Sequence, residues 1–424
     1  MASAYIQTYG CSANQNNSEI VAGLLARDGN TIANDVASAD AIIINTCTVK
    51  EKTTDKIKRR IQDLQRLFPN KKMIVTGCMA QTDGEKIKKL NRNAIIVGTD
   101  HYTEIPSMLN ESPLISIRTA KQKEEKILLP KIFNNNLIAI AQISEGCVSN
   151  CTFCKTKIAK GNLQSYPQEK ILQSITQDLQ NGAQEVWLTS QGNENYGMDQ
   201  GKNKLSELLK NILALPFDFK LRIGMMNPIN FPIDDLITIY KHPKIYKFLH
   251  LPIQSASNRI LKDMKRGYTI EKAEKIIKTF KKRFPHITFA TDIITGYPTE
   301  NEEDHQKNLQ FIQTLQPDIL NLSKFSKHKG TQADALKNLP IKIVNQRNTE
   351  IMRLHRQTTA GRKRHYLNKI IEVFINTKKG NNFYEARDEN YNIILISSLE
   401  NILGKTIHVK IINTGVHHMI GEKI

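Results

Sequence analysis

Ile138-Ala139-Ile140-Ala141-Gln142-Ile143-Ser144-Glu145-Gly146-Cys147-Val148-Ser149-Asn150-Cys151-Thr152-Phe153-Cys154 decides how the chain is read, because an apolar run delivers three cysteines to one loop. Residues 138–144 have the composition of a strand, and Cys147 lies just past its end. The C-x3-C-x2-C spacing offers three thiolates, one fewer than a tetrahedral zinc site takes. It suits three corners of a [4Fe–4S] cube whose fourth iron stays open to a small molecule. A structural zinc knuckle is the alternative, but no paired Cys or His stands nearby to complete it.

Only three other cysteines occur, Cys11, Cys47 and Cys78. Each follows an apolar run, 5–10, 41–46 and 73–77, and helix-like segments at about 17–28 and 50–67 alternate with them. That rhythm predicts a parallel α/β sheet, in which ligands gather at the carboxyl ends of strands. Three cysteines distant in sequence can meet there. They also read as three unrelated buried thiols, since free cysteine is often core. Beside a second triplet, a second cluster is the better reading.

At these residues the chain resembles the methylthiotransferases, radical S-adenosylmethionine enzymes with two three-cysteine clusters. Within them it is most similar to the archaeal and eukaryotic threonylcarbamoyladenosine tRNA subgroup. The likeness rests on Tyr9-Gly10-Cys11-Ser12-Ala13-Asn14, Ile44-Asn45-Thr46-Cys47-Thr48-Val49 and Val75-Thr76-Gly77-Cys78-Met79-Ala80-Gln81. It continues through Cys154-Lys155-Thr156-Lys157, Ser165-Tyr166-Pro167, Glu185-Val186-Trp187-Leu188-Thr189-Ser190-Gln191 and Arg222-Ile223-Gly224-Met225-Met226-Asn227-Pro228. His250-Leu251-Pro252-Ile253-Gln254-Ser255 and Thr291-Asp292-Ile293-Ile294-Thr295-Gly296-Tyr297-Pro298 complete it.

The resemblance implies two [4Fe–4S] clusters. One, on Cys147, Cys151 and Cys154, chelates S-adenosylmethionine; the other, on Cys11, Cys47 and Cys78, holds the sulfur to be transferred. It implies conversion of N6-threonylcarbamoyladenosine, beside the tRNA anticodon, into its 2-methylthio derivative. Phe153 is expected near the adenine or in the core, Ser190 and Gln191 at the methionyl amino group, and Arg222 at the cofactor carboxylate or on a structural carboxylate. Gln254 and Asp292 are expected at the ribose or substrate. The chain departs from the family at Gly192-Asn193-Glu194-Asn195-Tyr196-Gly197, where an Asp-Thr type sequence is usual, and at Pro298-Thr299-Glu300, in place of Pro-Gly-Glu. Competing readings are a methylthiotransferase for isopentenyl-adenosine tRNA or for a ribosomal-protein aspartate, and a non-enzymatic iron–sulfur RNA-binding regulator.

The expected fold class is α/β in three domains. These are a parallel cluster-binding domain at 1–115, a radical S-adenosylmethionine core at 135–335, and a small all-β TRAM-like barrel at 362–424. A polar linker is expected over 119–126. In the core, strand-like runs at 138–144, 185–189, 220–225, 246–251, 287–294 and 318–325 alternate with helical patterns such as 169–180 and 270–284. Repeated βα units of this size suit a barrel, and the resemblance selects an open six-stranded one. Strand-like runs at 370–376, 392–397 and 407–413 suit the small barrel. There Phe383-Tyr384-Glu385-Ala386-Arg387 replaces the family's Gly-Arg-Thr run.

A net charge of +19 favours a polyanionic partner. Between 341 and 369 eight Lys or Arg residues stand against one acid, Glu350. The commonplace account is a solvated helix face; the sharper one is an RNA-facing linker with Arg362, Lys363 and Arg364 as phosphate contacts. No apolar run approaches the roughly 20 residues of a membrane span, and no secretory leader opens the sequence. Reduced thiolates place the protein in the cytoplasm. The expected partners are tRNA, a flavodoxin- or ferredoxin-like electron donor and an unidentified sulfur donor, with the chain itself a monomer.

Overall fold

The computed structural model describes residues 1–110, 117–119 and 124–424. The expected domain boundary at 115 and residues 120–123 of the expected linker lie outside the described residues.

The first sheet contains β1 (Ser3–Thr8), β2 (Thr31–Ile32), β3 (Ala41–Thr46), β4 (Lys72–Gly77), β5 (Ile95–Val97) and β6 (Ile117–Arg118), in the order β2-β1-β3-β4-β5-β6. All pairings are parallel. Helices α1 (Ser12–Arg27), α2 (Glu51–Leu67) and α3 (Cys78–Leu90) make the crossovers, and α4 (Ile105–Asn110) closes one side. Because helices cover both faces, β3 is apolar without alternation: Ala41 and Ile43 join one core, Ile42 and Ile44 the other. The helix expected from residue 17 begins at Ser12. Its first turns are polar yet buried at Asn14, Asn16, Asn17 and Ser18, so no apolar period marks them.

The central unit opens with β7 (Ile138–Gln142), followed by a short antiparallel ladder of β8 (Ser144–Glu145) and β9 (Gln164–Ser165) around α5 (Lys155–Lys160). Then come β10 (Glu185–Thr189), β11 (Lys220–Ile223), β12 (Phe248–His250), β13 (Thr288–Thr295) and β14 (Ile319–Lys324). Strands β7, β10 and β11 form one parallel half and β12, β13 and β14 the other. The seam is bridged where Leu221 N donates to Lys244 O at 2.7 Å and Met226 N to His250 O at 2.9 Å. The result is an open (β/α)6 barrel whose spatial strand order equals chain order. Val186, Leu188, Leu221, Ile223 and Leu249 face the outer helices; Trp187, Arg222 and Phe248 alternate inward.

Helix Ile341–Lys363 packs back onto the core and leads to β15 (Ile370–Lys378), β16 (Phe383–Arg387), β17 (Ile393–Ser397), β18 (Thr406–Thr414) and β19 (Met419–Lys423). These close a small barrel in the order β15-β16-β17-β19-β18. Its 388–392 turn inserts Tyr391, at φ 63°, beneath the lumen of the larger barrel, against Trp187, Tyr246 and Phe248. Lys247 N donates to Glu389 O at 2.8 Å along the same contact. Among the described residues no helix is long and apolar enough to cross a membrane.

Candidate active site

Cys11, Cys47 and Cys78 stand at the carboxyl ends of β1, β3 and β4, neighbours in the sheet. Polar side chains lash the three ends together. Asn14 Nδ2 donates to Tyr9 O at 2.7 Å and Thr46 O at 2.9 Å; Asn45 Nδ2 donates to Asn14 O at 2.8 Å; Thr46 Oγ1 donates to Thr76 O at 2.5 Å. Gly10, at φ 113°, lets the backbone pass beside Cys47: a Cβ there would lie 2.9 Å from Cys47 Cβ and 3.2 Å from its sulfur. Burial pushes the Cys78 thiol up to about 12, with neighbouring Cys11 and Cys47 adding to the rise and Lys160 opposing it. Such a thiol ionises only against positive charge, which bound iron supplies. The arrangement fits a cluster.

The other triplet lies in the loop beyond β8. Cys147 and Cys154 are half-buried, and burial together with the adjacent thiols raises both. Among the described residues no three His, Cys, Asp or Glu gather tightly enough to hold a single metal ion. A zinc ion needs every sulfur about 2.3 Å from one point; the corners of a cube spread its ligands. Sequence reading missed Arg266. Fully buried, its Nη1 donates to Cys151 Sγ at 3.2 Å, Nη2 to Pro252 O at 3.0 Å and Nε to Tyr268 Oη at 3.3 Å. A guanidinium on a cysteine sulfur offsets thiolate charge, as it would beside a bound cluster. Nothing in Met264-Lys265-Arg266-Gly267 signals that role in sequence.

Helix α5 joins the two cysteine-bearing units. Lys155 pairs with Asp83 of α3, and Lys157 Nζ donates to Cys147 O. Lys126 Nζ reaches both Glu145 oxygens at 2.7 and 2.8 Å, and Lys160 Nζ lies 3.3 Å from Oε1. Burial works to raise Glu145, but the two ammonium groups outweigh it and hold the carboxyl near about 2. Lys155 and Lys157, which stood out in sequence as a subgroup mark, are therefore spent on docking this loop.

Phe153, Gln254 and Asp292 line one cavity of about 140 Å³, together with Cys154 and with Val49 and Lys50, which follow Cys47. The loops of both triplets thus face a common space. Phe153 also packs against the Ile260, Met264 and Tyr297 cluster. Asp292 Oδ2 lies 2.6 Å from His250 Nε2, a pair the sequence did not reveal. Gln254 adopts φ 68° and bridges Ile293. Ser190 Oγ accepts from Gly192 N at 3.1 Å, so it shapes its own turn. Arg222 sits away from this cavity, lower in the lumen, its guanidinium about 5.1–5.2 Å from the rings of Trp187, Phe248 and Tyr391. Its Nε is buried without a partner.

The basic segment divides. Arg362 and Lys363, expected to face RNA, turn inward: Arg362 Nε donates to Asp318 Oδ1 at 2.8 Å, and buried Lys363 donates to Val416 O at 3.1 Å. Arg347 is also buried, 2.8 Å from Glu300 Oε1. Arg364 remains exposed, as do Lys342, Arg353, Arg356 and Lys369. A charge count cannot distinguish a cation that anchors a helix from one that faces water.

Comparison with known proteins agrees with this geometry. Residues 3–98 match a family described as uncharacterized protein family UPF0004, and residues 141–312 match the Radical SAM superfamily. The chain is 36% identical over its whole length to a probable threonylcarbamoyladenosine tRNA methylthiotransferase of Pyrococcus horikoshii, which is itself fully covered. It is 32% identical to the threonylcarbamoyladenosine tRNA methylthiotransferase of Homo sapiens, over 99% of this chain and 74% of that one. In fold it is similar to the radical S-adenosylmethionine methyltransferase TsrM of Kitasatospora setae, with a TM-score of 0.57, 12% identity, and coverage of 78% and 77%.

Proposed function

Because the chain belongs to the threonylcarbamoyladenosine tRNA methylthiotransferases of the radical S-adenosylmethionine superfamily, we propose that it converts N6-threonylcarbamoyladenosine beside the tRNA anticodon into its 2-methylthio derivative. The observation that carries this reading is the single cavity shared by the Cys154 loop and the loop after Cys47. Transfer of sulfur to a ring carbon needs the hydrogen-removing centre and the sulfur source on one substrate atom.

In this reading Cys147, Cys151 and Cys154 hold one [4Fe–4S] cluster and Cys11, Cys47 and Cys78 the other. With S-adenosylmethionine bound, the first supplies one-electron chemistry able to break an aromatic C–H bond, which no side-chain base offers. The protein's own task is placement. Helix α5 fixes the cluster loop against α3 through Lys155 and Asp83. Phe153, Gln254 and Asp292 border the space where cofactor and base meet, and His250 holds the Asp292 carboxylate in place. Arg222 offers a guanidinium to an anionic group entering the lumen, and Ser190 and Gln191 close the loop after β10.

The proposed domains are 1–115 for the auxiliary cluster, 135–335 for the radical chemistry and 362–424 as a TRAM-like RNA-binding appendage. The protein works in the cytoplasm as a monomer, with a flavodoxin- or ferredoxin-like electron donor. Expression in a host lacking the modification, followed by mass spectrometry of tRNA nucleosides, tests the reading. The 2-methylthio nucleoside should appear; tRNA left unchanged by an enzyme with intact clusters would reject it.

The inward turn of Arg362 and Lys363 sharpens a second expectation. Alanine at exposed Arg353, Arg356 and Arg364 should weaken tRNA binding and flatten its log–log salt slope by about 2, as each lost phosphate contact removes about 0.7–0.9. Arg362→Ala should instead lower the unfolding temperature, because it leaves Asp318 without its guanidinium. Fluorescence anisotropy over a salt series and a thermal melt separate the two. An unchanged slope would move the RNA surface elsewhere.

A further inference from the structure

The cavity shared by the two cysteine-bearing loops carries positive charge that the fold leaves uncompensated. Four basic side chains line it, Lys50, Lys155, Lys324 and His328. Lys155 is taken by Asp83. Burial lowers His328 below the usual imidazole range, and nearby Lys155 adds to the fall, so it brings no charge at neutral pH. Two cations are left. Lys50 is exposed, and its ammonium makes no ion pair or hydrogen bond among the described residues. Lys324 donates to Asn345 Oδ1, a neutral amide that orients the ammonium without cancelling its charge. Asp292, the carboxylate in the lining, is engaged 2.6 Å from His250 Nε2.

The two lysines come from different units of the chain. Lys50 ends the short link from Cys47 to α2, and Lys324 is the last residue of β14, at the carboxyl end of the barrel. Asn321 and Ser323, on the same strand as Lys324, also line the cavity. Neither side chain has a hydrogen-bond partner among the described residues. The lining therefore offers two cations and two uncommitted neutral polar groups, beside the apolar surfaces of Phe153, Ile294 and Phe325.

That inventory matches the part of the substrate that distinguishes it from plain adenosine. The threonylcarbamoyl substituent presents a carboxylate, a hydroxyl and a urea-like linkage. In adenine, N1 alone separates C2, which takes the sulfur, from C6, which carries the substituent. A base whose C2 faces both cysteine loops thus brings its substituent into the same cavity. A carboxylate there calls for cations, and neutral donors and acceptors serve the hydroxyl and the linkage. Arg222, ringed by Trp187, Phe248 and Tyr391, lies lower in the lumen and away from this cavity.

We propose that Lys50 and Lys324 together receive the carboxylate of the threonyl group, with Ser323 and Asn321 on its hydroxyl and urea-like linkage. The assignment rests on the substrate reading above. It makes substrate choice a joint property of the loop after Cys47 and the last strand of the barrel. Neither lysine takes part in the chemistry; both set which adenosine is held for it.

The test uses the full chain with both clusters reconstituted anaerobically and two semisynthetic tRNAs that differ at one nucleoside. One carries threonylcarbamoyladenosine; in the other the carboxylate is replaced by its primary amide, which keeps the shape and loses the charge. Their phosphates are identical, so backbone contacts cancel in the ratio of affinities. Fluorescence anisotropy should show the acid bound about thirtyfold more tightly than the amide, the order expected for a charge-assisted contact. Lys50→Ala combined with Lys324→Ala should reduce that preference to about threefold or less while iron content is kept. Lys50→Arg combined with Lys324→Arg should retain most of it, because both charges remain. Equal affinity of the unaltered protein for the two tRNAs overturns the assignment without any variant having to fold. So does an alanine pair that holds its iron and keeps the preference, or an arginine pair that holds its iron and behaves as the alanine pair does. No methylthio product on the acid tRNA, from a protein holding both clusters, would instead sink the substrate reading itself.

Discussion

A chain with alanine at Cys11, Cys47 and Cys78 is expected to hold about four irons where the parent holds about eight. It should still cleave S-adenosylmethionine and yet form no methylthio product. The expectation follows from where the cysteines stand. The three lie at the ends of β1, β3 and β4, while the loop of Cys147, Cys151 and Cys154 is held by its own contacts, Arg266 on Cys151 and Lys157 on Cys147 O. Removing three sulfurs from strand ends tied together by Asn14, Asn45 and Thr46 leaves those ties in place. The reciprocal variant, with alanine at Cys147, Cys151 and Cys154, should lose both cleavage and product. Iron analysis, 5′-deoxyadenosine release and nucleoside mass spectrometry read the three quantities. A folded Cys11/Cys47/Cys78 variant unable to cleave the cofactor would show that the two triplets do not divide the work in this way.

Discrimination between modified adenosines should be nearly as large. The threonylcarbamoyl group brings a carboxylate, a hydroxyl and a urea-like linkage, whereas isopentenyl brings only hydrocarbon. The space above the barrel presents Gln254, Asp292, Asn321, Ser323 and Lys324 beside Phe153 and Ile294, and lower in the lumen Arg222 keeps a buried Nε without a partner. A site whose polar groups expect partners rejects an analogue that leaves them unpaired, by about 10⁴ in favourable cases. A hydrophobic pocket gives only about 10². On three otherwise identical tRNAs, product formation with threonylcarbamoyladenosine should exceed that with isopentenyl-adenosine or plain adenosine by at least about a thousandfold. Preferential conversion of isopentenyl-adenosine tRNA, or of a ribosomal protein offered as a fourth substrate, would overturn the choice of substrate and leave the radical chemistry standing.

What sequence revealed and what it hid follow the same physical line. The strands that carry Cys11, Cys47 and Cys78 were legible because a parallel sheet buried on both faces needs unbroken apolar runs, as in 41–46. The barrel strands were legible for a similar reason, and 185–189 agrees to the residue. The start of α1 was not, because Asn14 and Ser18 serve the strand ends and Asn17 the Tyr102 hydroxyl rather than an apolar face. Strands Phe383–Arg387 and Met419–Lys423 escaped because each carries two charged residues, Glu385 and Arg387 or Glu422 and Lys423, and so shows no apolar run. Cysteine spacing announced Cys147, Cys151 and Cys154, and the preceding apolar runs suggested Cys11, Cys47 and Cys78, but Arg266, the His250–Asp292 pair and the Lys126–Glu145–Lys160 group depend on contacts between distant segments. The basic run was visible as charge, and its division into anchors and exposed cations was not.

Tyr391 gives the small C-terminal barrel a duty unrelated to nucleic acid. Its ring, with those of Tyr246 and Phe248, forms the floor of the larger barrel and separates Arg222 from the solvent beneath. The floor of the larger barrel is therefore complete only with its appendage in place. Cutting the chain after the long helix, the obvious way to ask what that appendage contributes, would remove the floor together with any RNA contact. The rings of Trp187, Tyr246 and Phe248, which Tyr391 covers, would then become an exposed apolar patch. Point changes on the outer surface of the small barrel can separate grip on RNA from support of that floor; deletion cannot.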